Sequence, residues 1–280
     1  MTSEPPNLAI ARLAVEAAVL VRVEASQGSV PREAGAWMLV FARDFIGTVG
    51  GGHLELMAIE EARRRLHAEG GSSGETVLRY PLGPSLGQCC GGVMQLSFEQ
   101  VGAKDASALA VSLSPPRIPV ALFGGGHVGR ALVGALGPLP FSVRWIDSRD
   151  EIFPDAVPGN VECEHSDPVH AAVADLVGGS HVLVMSFSHA EDLDIVAACL
   201  KRQRDRGDLP FIGLIGSKTK WATFRHRLED REFSRQELSQ VTCPIGLTGI
   251  RGKQPEVIAV SVAAQLLQLR GWETPDKSTR

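Results

Sequence analysis

A glycine-rich turn between two apolar runs constrains the fold of this chain more than any other feature. The apolar run 118–123 precedes glycines at Gly124, Gly126 and Gly129, and a helical pattern then leads to a second run that ends at Asp147. In this G-x-G-x-x-G pattern the first glycine permits a tight turn, the second lets a phosphate approach the backbone, and the third lets the helix pack on the strand. An acidic residue about 20 residues further on is expected to bind a ribose hydroxyl. The pattern predicts a Rossmann-like unit with an anion site at the helix start.

Apolar runs and helical patterns alternate through the second half of the chain. Strands are predicted near 118–123, 141–146, 160–164, 181–186 and 211–214, and helices near 127–136, 168–177, 190–203, 217–229 and 255–270. Such alternation predicts a parallel, doubly wound sheet, whose ligands lie at the carboxyl ends of the strands. The loops expected around one crevice follow Phe123, Ile146, Ser186 and Ile215. Ser188 and Glu191 match a capping box, so each side chain is expected to accept from the backbone N–H of the other.

The first half of the chain has shorter apolar runs separated by turn residues. Strands are predicted over 19–24, 37–41, 45–49, 75–80 and 93–99, with helices over about 53–67 and 103–113. Two prolines near residue 115 mark a change in composition. We therefore expect a smaller N-terminal α+β domain over 8–102, a linker region over 103–117, a Rossmann-like domain over 118–271 and a tail over 272–280. The predicted fold class is α/β, with a doubly wound parallel sheet in the C-terminal part.

A second glycine turn precedes the helix of the first half. Gly50, Gly51 and Gly52 are followed by His53, at the point where a strand pattern changes to a helical one. Successive backbone N–H groups in such a turn form a nest that binds anions. A tight strand-to-helix connection without a ligand explains the same glycines equally well.

Charge and cysteine content exclude several classes of protein. The formal net charge is −4, so the chain lacks the general positive charge that binds nucleic acid or an anionic membrane surface. No apolar run approaches the ~20 residues that span a bilayer, and the N-terminus shows no secretory pattern. Five cysteines without a regular spacing argue against a disulfide framework and predict a cytoplasmic location.

Adjacent thiols lie among glycines at Cys89 and Cys90. Gly87 and Gly91 on either side leave the thiols uncovered and allow sharp backbone bends. Thiolates are soft ligands for metals and take part in sulfur exchange. The spacing is not C-x-x-C, so a zinc or iron–sulfur site is not indicated. Two small buried apolar side chains at a turn are the alternative.

Two further residues are candidates for ligand contacts. His127 lies within the glycine turn and is placed to donate to a phosphate or a pterin carbonyl, or else it is an ordinary surface histidine. Cys243 is another thiol in a loop, and its role depends on where that loop lies. The only tyrosine, Tyr80, lies outside the Rossmann-like unit, so the Tyr-x-x-x-Lys pair of many dehydrogenases is absent. An NAD(P)-dependent oxidoreductase and a nucleotide-sensing regulatory module nevertheless stay open as alternatives.

Five motifs in order make the chain resemble the xanthine dehydrogenase accessory protein family, XdhC with its CoxI relatives. They lie at residues 50–55 (GGGHLE), 86–92 (LGQCCGG), 123–132 (FGGGHVGRAL), 212–218 (IGLIGSK) and 243–246 (CPIG), the last followed by Gly252, Lys253 and Pro255. The resemblance covers nearly the whole chain. Thr248 departs from it, because proline is expected there.

The resemblance implies an accessory protein rather than an enzyme. Such a protein binds molybdenum cofactor (molybdopterin), holds it while a cysteine desulfurase supplies the terminal sulfur, and delivers it to the large subunit of xanthine dehydrogenase. A homodimer and a nucleotide at the Rossmann-like turn are left open. We expect cofactor contacts at Gly51, Gly52, His53, Gln88, Cys89, Cys90, Gly91, Gly124, Gly126, His127, Gly129, Asp147 and Cys243. Among these, Cys89 and Cys90 are the expected contacts to molybdenum or sulfur.

Overall fold

Two separate β-sheets organise the chain. The computed structural model describes residues 6–68, 75–82, 92–113 and 117–269. The chain divides into a first unit, Met1–Pro115, and a second unit, Pro116–Arg280. The first unit has a five-stranded antiparallel sheet and the second a six-stranded parallel sheet. These two sheets confirm the predicted fold class.

The sheet of the first unit is covered by helices on both faces. Its elements are α1 (Pro6–Leu13), β1 (Ala18–Gln27), β2 (Trp37–Val40), β3 (Phe45–Gly47), α2 (Gly52–Leu66), β4 (Thr76–Pro81), β5 (Val93–Val101) and α3 (Ala106–Ser112), in the strand order β3-β2-β1-β5-β4. Val19 and Val21 of β1 pack in the core that contains α2, whereas Leu20 packs in the core that contains α1 and α3. Because both faces are buried there, the first four residues of β1 form a continuous apolar run rather than an alternating one.

Residues from the predicted linker region contribute to the first unit. After a 3₁₀ turn at Ala103–Asp105, α3 places Leu109 in the core shared with α1, and Leu113 is buried in the same core. The carbonyl oxygen of Leu113 also accepts from Trp37 Nε1 at 3.2 Å. The helical pattern predicted over 103–113 is therefore part of the packing of this unit.

The second unit has the strand order of dinucleotide-binding folds. Its elements are β6 (Ile118–Phe123), α4 (His127–Leu136), β7 (Phe141–Asp147), β8 (Val161–His165), β9 (His181–Val184), α5 (His189–Arg206), β10 (Phe211–Leu214), α6 (Lys218–Glu229), α7 (Arg235–Leu238), β11 (Val241–Thr242) and α8 (Pro255–Leu269). The spatial order is β11-β10-β9-β6-β7-β8, so the chain starts in the centre, runs to one edge and returns to build the other. The order reverses between β6 and β9, where ligands of such sheets bind.

Both faces of the parallel sheet are covered. Ala121 and Phe123 of β6 pack in the core that α5 and α6 share, and Leu122 packs in the core that contains α4 and α8. Burying one such large side chain contributes about 1.5–3 kcal/mol relative to leaving it exposed. The inner strands β6 and β10 are consequently apolar throughout, as the sequence pattern predicts for a parallel sheet.

Several details differ from the predicted elements. A helix is predicted over 168–177, but the structure has a 3₁₀ segment there, Val169–Asp175. The sequence pattern did not predict α7 and β11, which have too few residues for a periodic pattern. The S-x-x-E signature from Ser234 to Glu237 was the available signal, since those two residues form a capping box.

The capping box predicted at the start of α5 is half formed. Ser188 Oγ accepts from the Glu191 N–H at 3.2 Å, which confirms the predicted cap. The carboxylate of Glu191 accepts instead from Ser148 Oγ at 2.6 Å, so the predicted return bond to Ser188 is wrong. Ser148, in the loop after β7, is thus the partner of the Glu191 carboxylate in place of the backbone of Ser188.

Gly129 determines how closely α4 packs on the turn after β6. A Cβ atom at Gly129 would lie 2.0 Å from the carbonyl oxygen of Gly124. The helix cannot approach this closely with any side chain at that position. This is the packing role that the sequence predicts for the third glycine.

We predict that Gly129→Ala lowers the free energy of unfolding by about 2–3 kcal/mol, because the added methyl overpacks the turn. Gly134→Ala in the same helix is the matched control, since a Cβ there meets no atom within 4 Å. The control should raise stability by up to about 1 kcal/mol, the usual gain for Gly→Ala inside a helix. Urea denaturation followed by circular dichroism measures both, and equal effects at the two positions would contradict the packing role.

Candidate functional site

The carboxyl edge of the parallel sheet gathers several polar side chains of the second unit. Its strands run in one direction, so the loops that follow β6, β7, β9, β10 and β11 all leave from this edge. We call these loops with their helix starts the carboxyl-edge site. Its residues are Gly124, Gly125, Gly126, His127, Asp147, Arg149, Ser186, Phe187, Asp192, Ser217, Lys220 and Cys243.

The glycine turn after β6 leaves space beside the start of α4. Gly124 has φ +124°, and a Cβ there would lie 2.0 Å from the Met185 carbonyl oxygen, so this position requires glycine. Gly126 is the N-cap of α4, and a Cβ there would meet no atom within 4 Å. His127 is the first helical residue and is exposed. The first turn of a helix leaves N–H donors without intrahelical acceptors, so an anion can approach here.

The carboxylate of Asp147 is hydrogen-bonded to this turn and to Arg149. Its side chain is 1% exposed, and its Oδ2 accepts from Gly125 N at 2.6 Å and from Arg149 Nη2 at 2.9 Å. Its Oδ1 accepts from the backbone N and the Nε of Arg149 at 2.9 and 2.8 Å. A carboxylate offers about four acceptor positions, and all four are used. A ribose hydroxyl would have to displace Arg149, so the predicted ribose contact at Asp147 stays a prediction.

The same contacts determine the ionisation of Asp147. Burial raises the pKa of a carboxyl group, but the hydrogen bonds from Arg149 and Gly125 outweigh that effect and lower the pKa of Asp147 below its ordinary value. Asp147 is therefore ionised at neutral pH, and its charge is balanced by Arg149.

A buried ion pair links the first turns of α5 and α6, the helices that follow β9 and β10. Asp192 Oδ1 accepts from the N–H and the hydroxyl of Ser186 at 2.8 and 2.7 Å. Its Oδ2 accepts from Lys220 Nζ at 2.6 Å, and Lys220 also donates to the Ile215 carbonyl at 2.9 Å. Neither member of this pair is among the residues predicted from the sequence. Their signal is an acid and a base, each in the first turn of a helix that follows one of two neighbouring strands.

Cys243 lies at the same edge, after β11. Its Sγ is 3.9 Å from the Ser217 carbonyl oxygen, and a Cβ on Gly216 would lie 3.5 Å from it. Burial raises the pKa of the Cys243 thiol, Lys220 opposes this rise and Asp192 reinforces it. The group is therefore a protonated, half-buried thiol at neutral pH, next to a lysine that favours its thiolate.

The glycine turn of the first unit is occupied by an internal carboxylate. Gly51 N donates to Glu55 Oε2 at 3.2 Å, and Gly50 N donates to Thr48 Oγ1 at 3.1 Å. The Thr48 hydroxyl in turn donates to Glu55, which is buried. His53 is exposed one residue after Gly52, the first residue of α2. This arrangement favours the tight connection over an anion site, because the nest already binds the side chain of Glu55.

The remaining predicted residues, Gln88, Cys89, Cys90 and Gly91, lie outside the described residues. Within the described ranges the free cysteines are Cys163, Cys199 and Cys243. No group of three or more His, Cys, Asp or Glu side chains in those ranges is arranged to hold a metal ion. Among the helices of the described part of the chain, none is both long and apolar enough to cross a membrane.

A cavity of about 340 Å³ lies on the same unit but at the amino edge of its sheet. Its lining includes Arg117, Ser142, Asn160 and Ser180, each at or just before the first residues of a strand. None of the predicted site residues lines it. Ligands of doubly wound sheets bind at the opposite edge, so we assign the functional site to the carboxyl edge.

Comparison with known proteins covers both units. Residues 120–266 match the XdhC Rossmann domain, and residues 11–81 match the XdhC and CoxI family. The uncharacterized protein YqeB of Escherichia coli K12 is 24% identical over 252 residues, which are 90% of this chain and 43% of that protein. The chain thus spans less than half the length of that relative.

One solved structure is similar in fold. A crystal structure described as a xanthine dehydrogenase (BH1974) from Bacillus halodurans is 19% identical, covers 99% of this chain and 98% of that one, and has a TM-score of 0.77. At this level of identity the similarity establishes the fold alone.

We predict that Asp147→Asn lowers the free energy of unfolding by about 2–3 kcal/mol at pH 7, because Arg149 loses its buried partner. A lowered folded-state pKa stabilises the protein above the unfolded pKa and stops doing so as the pH falls through the folded value. The difference between wild type and variant should therefore shrink below the ordinary pKa of aspartate.

Asp194→Asn is the control for this comparison, since Asp194 forms an ion pair with Arg231 in which both side chains are more than 40% exposed. It should change stability by no more than about 1 kcal/mol. Denaturant titrations at pH 7 and pH 3 measure both variants. A constant difference between wild type and Asp147→Asn across this range would contradict the assignment.

We predict that substitutions at the two members of the ion pair, Lys220 and Asp192, change the reactivity of Cys243 in opposite directions. Lys220→Met should slow its alkylation by iodoacetamide about two- to tenfold at pH 7.5, and Asp192→Asn should accelerate it, because the rate follows the thiolate fraction. Mass spectrometry of the Cys243 peptide measures the rates. Cys163, whose pKa is raised by burial alone, is the internal control. Changes of the same sign in both variants would contradict the electrostatic account.

Proposed function

Because the chain belongs to the XdhC and CoxI family, we propose that it is an accessory protein that binds molybdenum cofactor. In this proposal it holds the cofactor while a cysteine desulfurase supplies the terminal sulfur, and it then delivers the cofactor to the large subunit of xanthine dehydrogenase. Family membership supports a role in xanthine dehydrogenase maturation. The cofactor, the desulfurase and the delivery step are the finer parts that experiments must test.

The open glycine turn at the carboxyl edge is the observation that carries this proposal. The cofactor is a pterin with a phosphate, and the start of α4 offers backbone N–H donors beside the space at Gly126. Among the described residues of the first unit, the glycine turn before α2 is not open in this way, since Glu55 accepts from it. We therefore assign the phosphate to Gly126 and His127.

Soft thiols suit the metal end of the same cofactor. Cys243 lies at the carboxyl edge beside Lys220, which favours its thiolate. Thiolates bind molybdenum and carry sulfur more readily than oxygen ligands do. We propose that Cys243 contributes to cofactor binding at the carboxyl edge of the second unit. We also propose, from the sequence alone, that Gln88, Cys89 and Cys90 contact the cofactor, with the two thiols at molybdenum or sulfur. The cofactor supplies the redox chemistry of the recipient enzyme, and the accessory protein supplies binding and protection.

A nucleotide-binding function is the second candidate. The strand order of the second unit favours it, because this order is that of dinucleotide-binding folds. The saturated carboxylate of Asp147 weighs against a ribose contact of the usual kind. Tight NADH binding with turnover of a carbonyl substrate would favour an oxidoreductase, and a nucleotide-dependent change in oligomeric state would favour a regulatory module.

We predict that the protein purified from a molybdenum-replete host retains pterin and molybdenum in comparable amounts. Oxidised pterin fluorescence and elemental analysis measure them. Cys89→Ala, Cys90→Ala and Cys243→Ala should each lower retention at least severalfold without loss of folding. Cys163→Ala, at a half-buried cysteine on β8, is the matched control and should retain the cofactor. Protein that never retains pterin, even when cofactor is supplied, would refute the proposal.

A further inference from the structure

Phe187 is a large apolar side chain displayed at the carboxyl-edge site. It follows the end of β9 at the point where the strand order reverses, and 68% of its surface is exposed. The residues on either side are anchored, since Ser186 donates to Asp192 and Ser188 caps α5. The backbone at Phe187 is therefore fixed while its ring is exposed to solvent, although burying a phenylalanine side chain would lower the free energy of the protein.

Arg149 lies over one face of this ring. Its Cζ is 4.6 Å from the centroid of Phe187, and the guanidinium is fixed by the bidentate contact with Asp147. No described residue accepts from its Nη1, so donors remain for a further acceptor. Asp147 and Glu191 both act on its charge. Two carboxylates flank the guanidinium and offset its positive charge. What it offers a ligand is therefore mainly its flat face and its remaining N–H donors.

Short contacts connect this pair to the glycine turn. Gly125 N donates to Asp147 at 2.6 Å, Asp147 accepts from Arg149 Nε at 2.8 Å, and Arg149 covers Phe187 at 4.6 Å. In the sheet β6 lies between β7 and β9, so the glycine turn after β6 lies between the loops that carry Arg149 and Phe187. Aromatic rings and guanidinium planes hold flat heterocycles by stacking.

We propose that Phe187 and Arg149 form the stacking platform for the heteroaromatic ring of a phosphorylated ligand whose phosphate lies at Gly126. The inference builds on the proposed function, where the ring is that of the pterin, but the same chemistry accommodates the purine of a nucleotide. Asp147 acts here as the residue that positions Arg149. This explains why its carboxylate is saturated by the protein.

Calorimetric titration with three phosphates tests the platform. A pterin monophosphate and GMP each carry a flat fused heterocycle and a phosphate, whereas ribose 5-phosphate has the phosphate without a heterocycle. The full-length wild type should bind both ring ligands more tightly than ribose 5-phosphate. Phe187→Ala should weaken binding of the two ring ligands about 5- to 150-fold, the range measured for base stacking on aromatic side chains, and leave binding of ribose 5-phosphate unchanged.

Further variants make the result specific. Phe187→Trp keeps a stacking surface and should keep the affinity, while Arg149→Lys keeps the charge but removes the planar group and should weaken the ring ligands. Phe233→Ala is the matched control, because Arg204 lies over Phe233 at 5.1 Å near the other end of α5. It should leave all three affinities unchanged.

Three outcomes would overturn the platform: equal affinity of the wild type for all three ligands, no effect of Phe187→Ala, or loss of ribose 5-phosphate binding in that variant. Binding of GMP alone that depends on Phe187 would support the platform and count against the molybdenum cofactor. Binding of the pterin monophosphate that does not depend on Phe187 would support the cofactor and overturn the platform.

Discussion

The carboxylate of Asp147 is the interaction on which the carboxyl-edge site depends. It is buried at the end of β7, and the donors around it come from the glycine turn and from Arg149. Two strands, a turn and a half-buried arginine are thereby held in one arrangement. Breaking a buried, hydrogen-bonded ion pair is costly, so this arrangement is rigid. Side chains that are already fixed can bind a ligand without a large loss of conformational entropy.

The two glycine turns show how similar sequences acquire different roles. Each turn precedes a helix, and each donates a backbone N–H to a carboxylate of the protein. In the first unit Glu55 comes from the first turn of the following helix and also binds Thr48, so the nest is closed by its own chain. In the second unit Asp147 approaches from the neighbouring strand and binds Gly125, while the space at Gly126 stays open. The position of the internal carboxylate, on the following helix or on the neighbouring strand, therefore determines whether the helix start stays open for a ligand.

Much of the fold was predictable because long apolar runs and glycines carry strong local signals. The strands β6, β7 and β10 and the helix α4 begin within about a residue of the predicted bounds. The site was less predictable, since its contacts join residues far apart in the chain. Lys220 and Asp192 meet only because β9 and β10 are neighbours, and Glu191 bonds Ser148 instead of its local partner. Arg149 follows β7 and Phe187 follows β9, two strands on either side of β6, so nothing in the sequence indicates that their side chains touch.

We propose that the carboxyl edge of the second unit binds the phosphate of a pterin cofactor. A crystal structure of the cofactor-loaded protein tests this most directly. We expect the phosphate within hydrogen-bonding distance of the backbone N–H groups of Gly126 and His127. A phosphate bound at Gly51 and Gly52, or anywhere away from the start of α4, would contradict it.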